Sequence, residues 1–164
     1  MDSPAYLLAV GLVLGIATPL AHARFRRQGW PARPRWILLV LVGGLLVGTV
    51  SHVFDVIRAG SEPYADQPRL FNLFWTALVV LDPVGAWLLV HRTKVGLLLL
   101  TGIMLVDIAV NVLAFGDRGI VSPPNAPLLF QIGFGLFTFL SVPVLFRRAN
   151  ETQSSSASSG GPSV

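Results

Sequence analysis

LFNLFWTALVVLDPVGAWLLV, Leu70–Val90, decides the fold. The run holds no Lys, Arg or Glu and one Asp. At about 1.5 Å per residue it is long enough to cross a hydrocarbon core roughly 30 Å thick. A soluble helix of this length would carry a charged face. Here the polar residues are few, and Asn72, Trp75 and Asp82 fall on a single helical stripe. The stretch reads as a transmembrane helix with one polar seam.

The rest of the chain repeats the pattern. Working outward, apolar blocks predict further helices over about 5–22, 36–57, 95–114 and 127–147, beside one over about 70–91. The chain is 53% hydrophobic and 12% charged, about half the charge fraction of a soluble domain. The expectation is an all-α integral membrane protein, a bundle of five transmembrane helices forming one domain over residues 1–148. The tail, 149–164, is rich in Ser and Gly and is expected to be disordered. The first block lacks the basic residues that precede the apolar run of a signal peptide, so it reads as a retained helix.

Charge sets the orientation. Arg24, Arg26, Arg27, Arg33 and Arg35 separate the first two blocks, Arg92 and Lys94 separate the third and fourth, and Arg147 and Arg148 follow the fifth. The other two loops are close to neutral. The positive-inside rule therefore puts the N-terminus outside and the C-terminus in the cytoplasm of a multi-pass plasma-membrane protein. Basic residues placed this way are topology signals and not a nucleic-acid patch. The preference for Arg over Lys, with much Ala, Gly, Val and Leu, fits a GC-rich bacterial genome. The two outer loops, around Ala59–Tyr64 and Ser122–Asn125, are expected to cap the bundle. Gly11 with Gly15, and Gly44 with Gly48, are spaced to let helices approach closely.

Ionisable groups inside a membrane are costly and mark a function or a partner. The second block carries His52 and Asp55, the third Asn72 and Asp82, the fourth Asp107 and Asn111, the fifth Gln131 and Thr138. Counting along helices of alternating direction puts these groups in the outer half of the bundle, with Asp82 near the midplane. One shared polar pocket is expected. The amides also suit plain interhelical hydrogen bonding, and His52 and Asp55 also suit pairing with each other or with Arg58. Asp82–Pro83 predicts either a broken helix restarting at Pro83 or a simple kink. Two carboxyls with no cation at their depth resist a purely structural explanation. Low dielectric favours the neutral form of such a group, which makes it a proton donor.

The absences narrow the chemistry. With no cysteine there is no thiol nucleophile and no thiolate metal site. There is no phosphate-binding glycine loop, no HExxH and no acidic run for a metal-bound diphosphate. His52, Asp55 and Asp107 would make only a scattered metal site, so no metal or other cofactor is expected. What remains is acid–base chemistry among amides and aromatic rings. Phe71, Phe74 and Trp75 cluster in the third block, and Phe130, Phe134 and Phe137 recur at helical spacing in the fifth. Aromatic faces stabilise cations, and carboxyls beside them suit a carbocation reaction that one proton starts and the loss of another ends.

The stretch Phe71–Trp75 through Leu81–Pro83, then Val106–Asp107 to Asn111, within an all-helical membrane bundle of this size, resembles the small bacterial membrane-bound terpene cyclases of drimentine-type pathways. These are similar in principle to the fungal meroterpenoid cyclases, which use acidic residues that include a Glu; here no Glu lies within a span. The resemblance implies metal-independent, protonation-initiated cyclisation of a linear prenylated substrate. On it, Asp82, Asp107, His52 and Asp55 are the catalytic candidates, and Asn72, Trp75, Asn111, Gln131, Phe71, Phe134 and Tyr64 the substrate-binding ones. Asp82 or Asp107 would be the acid. His52 with Asp55 would be the base or the reprotonation route. The expected partners are a hydrophobic small molecule and the bilayer, with no nucleic acid; a homo-oligomer is compatible. Two other readings use the same residues: a lipid- or sterol-binding or proton-coupled transport protein, and a subunit of a larger complex whose polar stripes face outward.

Overall fold

A computed structural model of the chain describes residues 3–60, 63–115 and 126–158. Among these there is no strand, and the elements are α1 (Pro4–Arg27), α2 (Ala32–Ala59), α3 (Arg69–His91), α4 (Thr93–Phe115) and α5 (Ala126–Ser158). All five are long and apolar enough to span a membrane. In hydrocarbon a backbone must satisfy its own hydrogen bonds, and continuous helices do so.

Local chemistry fixes the ends. Ser3 caps α1: its Oγ accepts the Tyr6 N–H at 3.3 Å, with Pro4 in the first helical position. The same Oγ accepts from Arg58 at 3.2 Å, tying the start of α1 to the end of α2. Only Arg92 separates α3 from α4. That turn brings α4 so close that a Cβ at Gly96 would strike the Leu89 backbone, which only glycine avoids.

Consecutive helices are neighbours, with α2 between α1 and α3, and α5 returning to α2. There the Phe134 ring occupies the space a side chain at Gly44 would need. The four helices α2–α5 thus close a ring, and α1 lies outside it against α2. The core between them is built from fully buried Leu38, Leu41, Leu89, Leu97, Leu100 and Leu145. In lipid this apolar core has no water to escape, so close packing holds it together. Large apolar side chains also point outward, among them Leu8, Leu113, Leu140 and Phe130, which is 82% exposed. A surface of that kind suits acyl chains.

One open alternative is decided and two expectations need correction. α3 runs unbroken through Asp82 and Pro83, so the helix does not restart there; its lost backbone bond is a local defect in a helix held on both sides by α2 and α4. Gly11 and Gly15 meet nothing within 4 Å, because α1 packs through Leu14 on Gly43 and through Tyr6 edge-on to Phe54 instead. The tail from Asn150 to Ser158 continues α5 as a helix. Extending an existing helix costs little, and Arg148 with Glu151, 2.8 Å apart, pair along its surface.

Candidate functional site

Polar residues of α2, α3, α4 and α5 meet at the end of the bundle opposite the arginine clusters. They form two hydrogen-bonded groups with Asp82 beside them.

The first group is organised by Tyr64, in the connection between α2 and α3. Its hydroxyl donates to Asp55 Oδ2 at 2.6 Å and lies 3.3 Å from His52 Nδ1. A phenol has one hydrogen to give. With that hydrogen on Asp55, His52 Nδ1 is the donor to the phenol oxygen, and the three side chains form a chain through which a proton can pass. Two contacts hold Tyr64 in place. Its N–H donates to Asn72 Oδ1 at 3.2 Å, and its ring lies 4.7 Å from that of Trp75. Phe71 meets Trp75 edge-on at 6.1 Å. Burial first, then the hydrogen bond to Asp55 and the charges of Asp55 and Asp107, push the Tyr64 phenol above its ordinary range.

The second group surrounds Asp107, which is 7% exposed. Asn111 Nδ2 donates to Oδ1 at 3.0 Å and to the Asp107 backbone carbonyl at 2.8 Å. Gln131 Nε2, from α5, donates to Oδ2. Both oxygens of this carboxyl therefore receive an amide hydrogen. The charge of Asp107 also reaches Tyr64.

Asp82 differs. It is 5% exposed and no side chain among the described residues hydrogen-bonds it. It fits because α2 offers glycine opposite: a Cβ at Gly48 would lie 2.5 Å from Asp82 Oδ2.

Arg58 does not pair with Asp55. It turns to Ser3 and lies 5.7 Å from the centre of the Phe54 ring. No cation therefore approaches the carboxyls from α2. His52, Asp55 and Asp107 do not converge as a metal-binding trio among the described residues. Phe134 sits lower, on Gly44, and Phe130 faces outward. Thr138 is buried but bonds its own helix, donating to the Phe134 carbonyl at 2.9 Å. The polar stripes face inward, against the expectation for a subunit that offers them to a partner. The second outer loop, Ser122–Asn125, lies outside the described residues.

Two hydroxyls join this level, Thr76 from the polar residues of the third block and Ser51, which the sequence reading did not single out. Ser51 Oγ and Thr76 Oγ1 are buried at this level without a hydrogen-bond partner. Single hydroxyls in apolar helices are common and usually bond their own backbone, so nothing in the sequence marks Ser51.

Comparison with protein-family models, with curated proteins and with solved structures returns no match.

Proposed function

We propose that the chain is a membrane-embedded acid–base enzyme that cyclises a linear prenylated substrate by protonation-initiated carbocation chemistry. The observation that carries this reading is a pair of buried carboxyls with unlike hydrogen bonding. Asp107 is held by amide donors on both oxygens, and Asp82 is held by none. Unlike surroundings are how two carboxyls come to play different roles.

In this reading Asp82 is the acid. Its proton goes to a terminal alkene carbon, whose π pair forms the new C–H bond and leaves a cation. A second alkene of the substrate attacks that cation and a ring C–C bond forms. Asp107, already arranged as an acceptor, removes a proton from the final cation and restores an alkene. The product is an isomer of the substrate. Between turnovers Asp107 loses the captured proton to solvent, and Asp82 is reloaded with a proton from solvent. The chain His52–Tyr64–Asp55 links the site to solvent, and the Trp75 and Phe71 faces stabilise positive charge. Tyr64 covers this end, so admission of substrate requires its bonds to Asn72 and Asp55 to open.

The same proposal places the N-terminus outside and the C-terminus in the cytoplasm of the plasma membrane, supported by the arginine clusters that share one end of the bundle.

The test uses membranes containing the full chain, incubated with farnesylated indoles and phenols. Chromatography with mass spectrometry is expected to find an isomer of unchanged mass and shifted retention. Asp82→Asn should lower its formation by about 10²-fold or more, the usual worth of a general acid. Full activity in both Asp82→Asn and Asp107→Asn would refute the assignment. Retention of substrate with no isomer would move the same residues to a binding or transport role.

A further inference from the structure

A second feature lies at the opposite, basic end. Between α1, α2 and α3 runs an open groove of about 540 Å³. Its walls are apolar, kept open by the small side chains of Ala17, Ala21 and Ala86. Its mouth carries the cations Arg24 and Arg27, one turn apart on α1, beside His91 at the end of α3. His91 stacks on Trp87 at 4.8 Å, and its Nδ1 donates to the Trp87 carbonyl at 3.0 Å, which leaves Nε2 open. At the far end the groove reaches Leu46 and Pro83. From His91 to Pro83 is eight helical residues, roughly 12 Å at 1.5 Å each, close to one leaflet of a hydrocarbon core about 30 Å thick.

Among the described residues the arginines at the mouth have no counter-ion. Arg24 and Arg27 form no ion pair among the described residues, where the one salt bridge joins Arg148 to Glu151. Among the described residues Glu151 is the only acidic one at the basic end, because Asp55, Asp66, Asp82 and Asp107 all lie at mid-bundle or at the other end. Arginine is always charged and matches phosphate with two parallel hydrogen bonds. A basic pocket between transmembrane helices at the membrane surface is the form that anionic headgroups favour.

We propose that this groove is a binding site for one anionic phospholipid, its phosphate on Arg24 and Arg27 and an acyl chain along the apolar wall toward Pro83. The site is separate from the carboxyl cluster and does not depend on its function.

The experiment is native mass spectrometry of the full chain in non-ionic detergent, titrated with phosphatidylglycerol or with phosphatidylcholine of the same acyl chains. The chain should retain one phosphatidylglycerol, with a preference of about tenfold or more, as expected for two arginines near a headgroup. Arg24→Gln with Arg27→Gln should abolish that preference, whereas Arg147→Gln with Arg148→Gln, outside the groove, should preserve it. Ala17→Trp should reduce retention with both arginines in place. Equal binding of the two lipids, or an undiminished preference in the Arg24/Arg27 double variant, would overturn the proposal. Complete displacement of phosphatidylglycerol by inorganic phosphate would also overturn it, because the acyl chain would then contribute nothing.

Discussion

Asp82 and Asp107 are both buried, and what separates them is a handful of amide hydrogens. Asn111 and Gln131 commit Asp107 to accepting; nothing commits Asp82. Replacing Gln131 with Leu should therefore lower the proposed activity by roughly tenfold or more, the scale of losing a hydrogen bond to a charged group, with little change in secondary structure by circular dichroism. Tyr64 offers an independent test without substrate. Its phenol is pushed above the ordinary range near pH 10, so the folded chain keeps that proton where the unfolded chain loses it. Stability is thus fully present below about pH 10 and falls as the pH rises above it. Thermal unfolding should show the wild type losing stability there more steeply than Tyr64→Phe; parallel curves would contradict the buried, Asp55-bonded phenol. At this scale the sequence was informative about where polar groups gather, because helix direction and spacing set depth. It was silent on pairing. Arg58 lies three residues from Asp55, yet turns to Ser3, 55 residues away, and no local pattern carries that choice.

Helices approach one another here through glycine, each time for a different neighbour. Gly96 admits the Leu89 backbone, Gly44 admits the Phe134 ring and Gly48 admits the Asp82 carboxyl. Gly96→Ala should destabilise the α3–α4 hairpin by about 1–3 kcal/mol, the usual cost of overpacking, seen as a lower melting temperature in detergent. At Gly44 the obstacle is a side chain, so Gly44→Ala should be partly rescued by Phe134→Leu, a coupling that a double-mutant cycle measures. The small-xxx-small spacing was visible for Gly44 and Gly48, but Gly11 and Gly15 share it and touch nothing within 4 Å. Spacing states that a close approach is permitted; the partner is chosen by the rest of the bundle. Asp82–Pro83 makes the same point. The local signal suits a helix start as well as a kink, and packing on α2 and α4 carries the helix through.

The whole molecule has two unlike ends. One holds the carboxyls, Tyr64 and the indole of Trp75; the other holds most of the arginines and the open groove. Composition and block length sufficed to read five helices long and apolar enough to cross a membrane, because in hydrocarbon a continuous helix satisfies its own backbone. The closing of α5 on α2 was not legible, because contact between helices so far apart in sequence leaves no periodic mark. Orientation in the membrane can be read directly, as the chain has no cysteine of its own. A membrane-impermeant maleimide added to intact cells should label Ala65→Cys, and should label Asn150→Cys only after permeabilisation; the reverse pattern would invert the proposed topology.

The central claim is that Asp82 delivers a solvent-derived proton to carbon. The most direct measurement is to run the cyclisation in deuterium oxide and weigh the product. The account predicts an isomer carrying one non-exchangeable deuterium, absent with Asp82→Asn. An isomer with no deuterium, or one formed undiminished by Asp82→Asn, would contradict it.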